Sequence, residues 1–190
     1  MAHLTMRSTA LLPLAFAALA VSTAAQAQSS GWQWLPGLTD PNFKAEASLA
    51  VTGNRVIPDE GRSSNAWGLD FNMNCGLLQS PDKRIRTHVN FSRSNKDGVQ
   101  GTNWELSPRY TMPVREAPGL SLGIGPSLGL FTVKSAASDH SYTGLGLATG
   151  LNYRAGPLYT GLDVRYHRTT SHNGVSLDPV TWGAKIGLNF

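Results

Sequence analysis

Ionisable residues recur at every second position along this chain, as in Arg84, Arg86 and His88, and again in Asp163, Arg165 and His167. With Lys44, Glu46, Asp70, Glu105, Arg109, Arg154 and Lys185 they make a set of seven cations, four carboxylates and two histidines. The chemistry open to such a set is ion pairing, attraction of anions and proton exchange at the imidazoles. Charges removed from water must be paired and hydrogen-bonded, and this set has a basic surplus that water, an anion or an open lumen would relieve. Metal chemistry is not expected, because no His or Cys cluster has ligand spacing and Cys75 is the single cysteine. Neither a phosphate-binding loop nor a nucleophile elbow is present, so no catalytic residues and no cofactor are assigned. His140 and His172 fall in separate polar links and read as exposed.

A spacing of two is the period of a β-strand, whose successive side chains point to opposite faces. Eight segments alternate in this way, at roughly 43–52, 66–78, 84–94, 102–114, 120–133, 142–154, 157–169 and 177–190. The ionisable set occupies one parity. The other parity holds residues such as Leu69, Phe91, Trp104, Leu147 and Leu162, none of them charged. An apolar face without charge is what lipid demands, since a Lys or Arg at mid-bilayer costs about 2–4 kcal/mol. A water-soluble sandwich would invert the faces, burying the apolar side. The chain therefore reads as all-β, an eight-stranded antiparallel up-and-down transmembrane barrel with the ionisable set in its lumen.

Three features favour lipid outside. Short links at 80–83, 117–119 and 155–156 alternate with longer ones at 53–65, 95–101, 134–141 and 170–176, the asymmetry of periplasmic turns and outer loops. The outward aromatics fall at two levels, with Trp67, Phe91, Trp104, Tyr166 and Trp182 toward the longer links and Phe43, Tyr110, Tyr153 and Phe190 toward the shorter ones, as in interfacial girdles. The first 27 residues read as a secretory signal peptide, with Arg7, an apolar run from Ala10 to Val21 and the small-x-small sequence Ala25-Gln26-Ala27. Residues 28–190 would then be one barrel domain. Loss of Arg7 leaves a formal charge of +3, too small and too scattered for nucleic acid.

Strands five and six present Ser121, Gly123, Gly125, Ser127 and Gly129, and Gly144, Gly146, Ala148 and Gly150, to the lumen. Across from this bare wall stand Lys44, Glu46, Asp70, Asn72 and Asn74, packed large against small or leaving a narrow aqueous slot. Strand three would face strand seven, pairing Arg84, Arg86 and His88 with Asp163, Arg165 and His167. Pro108 and Pro126 lie symmetrically about the turn near Ala117. A proline removes a ladder hydrogen bond, so they mark either a local bulge on each strand or a weakened lateral seam. Trp32 and Trp34 precede the first strand, as an interfacial anchor or as packing on the barrel base.

The last residues, Val180 to Phe190, alternate to a terminal aromatic, with Trp182, Ile186, Leu188 and Phe190 on one face. This resembles the closing strand of bacterial outer-membrane proteins, and Leu177-Asp178-Pro179 with Gly187-Leu188-Asn189-Phe190 is similar to that of the OmpW family. The stretch YTGLGLATGLNYRAGPLYTGLDVRY, residues 142–166, resembles the Gly-rich penultimate hairpin of small OmpA, OmpX and opacity-type barrels. The resemblance implies a monomer in the outer membrane of a Gram-negative bacterium, in contact with lipid and lipopolysaccharide. It also implies that the assembly machinery reads the last strand. A non-enzymatic structural or surface role is expected, the lumen closed by an ion-paired network; the alternatives are a narrow pore for small solutes or anions and a lipid-A-modifying enzyme entered between strands four and five. That device resembles one in the outer-membrane palmitoyltransferases. The sequence YHRTTSHNG, with His167, Thr169, Ser171 and His172, is similar in composition to the His-x-Ser of lipid A deacylases but differs in spacing.

Overall fold

The computed structural model describes residues 31–59, 61–136, 139–171 and 174–190. The expected signal peptide and His172 lie outside the described residues. Eight strands alternate along the chain: β1 (Ser48–Ile57), β2 (Ser64–Asn74), β3 (Ile85–Lys96), β4 (Val99–Pro113), β5 (Leu120–Lys134), β6 (Asp139–Ala155), β7 (Leu158–Thr169) and β8 (Val180–Asn189). Each pairs antiparallel with its neighbour in sequence, and β8 returns to β1, Val180 opposite Ile57 and Asn189 opposite Ser48, so the sheet closes. Closure removes the unpaired edges that a lipid environment could not satisfy. The chain end is part of this closure. Phe190 N–H donates to the Ala47 carbonyl at 2.9 Å, and Asn189 Nδ2 donates to the Gly156 and Leu158 carbonyls at 3.0 and 2.8 Å.

The faces sort as the period of two requires. Asp70, Arg109, Arg165 and His167 are buried inside, whereas Leu69, Leu106, Leu147 and Leu162 project outward and exposed. Trp67, Trp104, Tyr166 and Trp182 occupy the halves of their strands toward the links that follow β1, β3, β5 and β7, while Tyr110, Tyr153 and Phe190 lie toward the opposite end.

Several expectations are corrected. The first strand runs from Ser48 to Ile57, about five residues later than its alternation suggested; Glu46, at φ +43°, turns the chain just before it. Lys44 and Glu46 are consequently exposed at the rim, and Phe43 belongs to the entering segment rather than to a girdle strand. Arg84 also stops short of β3 and is exposed, its Nε 3.3 Å from Asp82. Cys75 lies past the end of β2 and is buried instead of facing outward.

The expected rhythm of link lengths is not kept. β3 and β4 extend until only Asp97-Gly98 joins them, with φ of +53° and +77°, the positive pair that a two-residue primed hairpin requires. By contrast, the link after β2 spans 75–84. It is stiffened by the entering chain: Gln33 and Trp34 pair with Gln79 and Leu78, and Leu35 N–H donates to the Leu77 carbonyl at 2.8 Å. A single helical turn, Pro36–Thr39, completes that cap, leaving Trp32 and Trp34 largely exposed.

Candidate functional site

Ten members of the ionisable set meet within the barrel: Asp70, Arg86, His88, Glu105, Arg109, Arg154, Asp163, Arg165, His167 and Lys185. Three layers can be distinguished. At the centre, Lys185 Nζ lies 2.6 Å from Asp70 Oδ2 and 2.7 Å from Asp163 Oδ2. Arg109 donates to Asp163 Oδ1 at 2.5 Å and to Ser107 Oγ at 3.0 Å, and His88 Nδ1 stands 3.2 Å from Asp70 Oδ1. One lysine thus ties two carboxylates together, and each carboxylate holds a second partner.

Toward the links that follow β1, β3, β5 and β7, Arg165 donates to Glu105 Oε2 at 3.0 Å and to Asn54 Oδ1 at 2.9 Å. His167 Nε2 is 2.9 Å from Ser127 Oγ, and its ring packs edge-on against Phe131 at 5.1 Å. Toward the chain termini, Arg86 Nε and Arg154 donate to one acceptor, Asn72 Oδ1, at 3.3 and 2.7 Å. Arg86 also reaches Asn74 Oδ1 at 2.7 Å and the Glu46 backbone carbonyl. Arg154 lies over the Tyr159 ring at 4.8 Å, and the Tyr159 hydroxyl donates to Asn152 at 2.9 Å.

The partners differ from those the sequence suggested. Strand three does not pair its charges with strand seven; His88 bonds to its neighbour on β2, while Asp163 and Arg165 of β7 are met by Arg109 and Glu105 of β4. The long side chains of β4 lean across the lumen into the space that the glycines of β5 and β6 leave. A Cβ at Gly150 would lie 2.0 Å from Asp163 Oδ1 and 3.0 Å from Arg109, and one at Gly129 would lie 2.5 Å from the Phe131 ring. The glycine wall is therefore filled by Arg109, Asp163, Phe131 and His167, not by Lys44 and Glu46. With Lys44, Arg84 and Glu46 at the rim, five lumen cations (Arg86, Arg109, Arg154, Arg165, Lys185) face three carboxylates (Asp70, Glu105, Asp163).

Tyr159, Asn152, Ser107 and Phe131 join the network from inward parities that alternation already marks, whereas Asn54 joins it because the first strand runs on to Ile57, past the link expected at 53–65. Their role in it was not legible, since it depends on which long side chain crosses to meet them.

Pro108 and Pro126 stand opposite each other. The offset between β4 and β5 is the same on both sides, Leu106 opposite Leu128 and Tyr110 opposite Ile124, so neither strand carries a bulge. The ladder is instead interrupted at 107–109 against 125–127. Strand contact persists there, because the Pro108 carbonyl oxygen lies 1.9 Å from where a Cβ on Gly125 would sit.

The link before β8 is pinned by one carboxylate. Asp178 Oδ1 accepts from Thr169 N–H at 2.7 Å and Thr169 Oγ1 at 3.1 Å. The amide hydrogen bond holds the Asp178 carboxyl below its ordinary range. Because the folded-state value is the lower one, this contact is fully present above the ordinary carboxylate pKa of about 4 and is lost as pH falls through the depressed value. Protection of the Thr169 amide against hydrogen exchange is expected to persist at pH 5 and to fall at still lower pH toward the level of an Asp178→Ala variant. Equal protection in variant and parent at pH 5 would refute the assignment.

A closed antiparallel sheet of eight strands, apolar outside, aromatic toward both ends and lined by paired charges, defines the class: a small transmembrane β-barrel of the bacterial outer-membrane type. Solved structures agree on the fold. The chain is similar to Neisserial surface protein A, at 14% identity over 84% of this chain and 96% of that one, with a TM-score of 0.52. It is also similar to the N-terminal β-barrel domain of Pseudomonas aeruginosa OprF, at 12% identity over 77% of this chain and 100% of that one, with a TM-score of 0.50. No family model and no curated protein matches the sequence.

Proposed function

We propose that the chain is a monomeric, non-enzymatic outer-membrane barrel with a structural or surface role, its lumen closed by the ion-paired network. The observation that carries this reading is the burial of the crossing side chains: Arg109, His167 and Tyr159 are each 0% exposed. Side chains without contact with water at three successive levels of the barrel leave no room for a hydrated ion, and small barrels of this strand number are normally filled. The apolar belt contacts outer-membrane lipid and lipopolysaccharide. Trp182, Ile186, Leu188 and Phe190, all exposed on one face of the closing strand, are the residues the assembly machinery would read. The refolded mature chain in a planar bilayer is expected to give no discrete conductance steps, with an Arg109→Ala variant opening a measurable path. Anion-selective steps from the unaltered chain would refute closure and favour the narrow-pore alternative.

One observation favours a second reading, lipid modification through the seam. Ser127 and His167, hydrogen-bonded at 2.9 Å, lie directly behind the interrupted ladder at Pro108 and Pro126. A serine beside a histidine is a nucleophile-base pair in outline, but His167 Nδ1 has no hydrogen-bond partner to orient it. Lipid A from cells producing the protein is expected to keep its mass. A mass change abolished by Ser127→Ala would overturn the non-enzymatic reading.

A further inference from the structure

The lipid-facing surface of the barrel is not uniform. A groove of about 250 Å³ lies over β2 and β3, lined by Leu49, Leu69, Phe71, Val89, Phe91 and Trp104. All six follow the outward parity of their strands, and none is charged. The register sets them in two adjacent rows, Leu49–Phe71–Val89 and Leu69–Phe91–Trp104. The Phe91 and Trp104 rings pack together at 4.8 Å and form the wall on the β4 side. The groove is smaller than the usual small-molecule site of about 300–1,000 Å³. An apolar trough on the membrane side of a barrel accommodates an acyl chain rather than a water-soluble ligand.

The chemistry changes in the rows just beyond the groove, toward the link after β1. Trp67 and Arg93 stand opposite each other there, and Arg55 follows one row further, opposite Asn65 on one side and Trp182 on the other. Arg55 and Arg93 keep the outward parity of their strands, with Trp67, 65% exposed, on the strand between them. Their backbones are about 12 Å apart, two strand spacings of about 4.8 Å across and two residues of about 3.4 Å along. Two arginine side chains can close that gap on one phosphate.

Both arginines spend donors on neutral groups. Arg55 donates to Asn65 Oδ1 at 2.8 Å and to Ser63 Oγ at 2.5 Å, and Arg93 donates to Gln100 Oε1 at 3.0 Å. Lys96 Nζ donates to the Ser63 carbonyl at 2.7 Å and adds a third cation beside Arg55. Asp97, in the hairpin after β3, is taken by Arg62 at 3.4 Å. Among the described residues, neither Arg55 nor Arg93 has a carboxylate partner. Cations level with interfacial tryptophans sit where lipid headgroups lie, and the arginine fork matches phosphate geometry. A zwitterionic headgroup would bring an ammonium to the same cations, so the pair favours an anionic one.

We propose that one anionic phosphorylated lipid docks on this face, its phosphate held between Arg55 and Arg93 beside Trp67 and one acyl chain lying in the groove over Leu69. The site deepens the proposed contact with outer-membrane lipid and lipopolysaccharide, and rests on it. It lies on the outside of β1 to β4 and does not depend on whether the lumen is closed.

The test is a titration of the ¹⁵N-labelled full mature chain in phosphatidylcholine nanodiscs with diphosphoryl lipid A and, separately, with inorganic phosphate. Saturable amide shifts at Trp67, Phe91 and Arg93 are expected with lipid A and none with inorganic phosphate. The double variant Arg55→Gln with Arg93→Gln is expected to bind lipid A at least about 10-fold more weakly, or 1.4 kcal/mol. Arg168→Gln, at an exposed outward position on β7 away from the groove, is expected to bind as the parent does. Leu69→Trp fills the groove without touching either arginine and is expected to weaken binding; heat-modifiable gel mobility reports whether it has folded. Unchanged affinity in the double variant or in folded Leu69→Trp, an equal loss in Arg168→Gln, or the same shifts from inorganic phosphate would each overturn the proposal. Quenching of tryptophan fluorescence by brominated phosphatidylcholine separates the two levels of the argument. Quenched tryptophans without saturable lipid A binding would sink this site alone, whereas unquenched tryptophans would sink the lipid-facing belt with it.

Discussion

Replacing Leu162 by Arg is expected to destabilise the protein in phospholipid vesicles by about 2–4 kcal/mol, the depth-dependent cost of a cation on the lipid face of a barrel. Leu162 is 58% exposed and lies on the outward face of β7, four residues from Tyr166 toward one end and four from Leu158 at the other. On a water-facing surface a residue this exposed would tolerate Arg, and surface substitutions usually fall within about 0.5 kcal/mol. The same change thus has opposite expectations for lipid and for water outside the sheet. Val175→Arg, at an exposed position in the link before β8, supplies the control and is expected to be near neutral. The readout is the urea midpoint of reversible unfolding, followed by tryptophan fluorescence. A loss below about 0.5 kcal/mol at Leu162 would contradict a mid-membrane position for it.

The second large effect is expected at Lys185. Its ammonium is buried between Asp70 and Asp163 at 2.6 and 2.7 Å. Lys185→Met removes the cation and leaves two carboxylates facing a thioether. Breaking a buried ion pair from one side costs about 3–5 kcal/mol, because the remaining charge is uncompensated. The loss should be partly reversed in the double variant Lys185→Met with Asp70→Asn. In that variant Asp163 keeps Arg109 at 2.5 Å, and the side-chain amide introduced at position 70 can still offer an oxygen to His88. A double variant less stable than Lys185→Met alone, or a single variant costing under about 1 kcal/mol, would show that Lys185 does not couple the two carboxylates. Removing both partners is gentler than removing one because desolvation, not pairing, dominates the account of a buried charge.

Alternation determined most of what the sequence could determine. Period two placed each of Asp70, Arg86, His88, Glu105, Arg109, Asp163, Arg165, His167 and Lys185 on the inner face, because successive side chains of a strand cannot share a face. It also placed Trp182, Ile186, Leu188 and Phe190 outside. Alternation does not state where pairing begins. Lys44 and Glu46 continue the period of β1, yet the chain turns at Glu46 before the first rung of the ladder, and both residues sit at the rim. Arg84 fails for the same reason at the start of β3.

Partners were decided only by the tertiary structure. Strand number implies which strands face each other across the lumen, but long side chains lean toward whatever space the opposite wall leaves. The glycines of β5 and β6 leave that space to Arg109, Asp163, Phe131 and His167. The ion pairs consequently join β4 with β7 and β8 with both β2 and β7, rather than β3 with β7. The prolines illustrate the same division. Their positions were legible, but whether a missing hydrogen bond is absorbed by a bulge or left as a gap depends on the register of two strands at once. Here the offset is unchanged across the gap, so the ladder is interrupted and the chain inserts no extra residue.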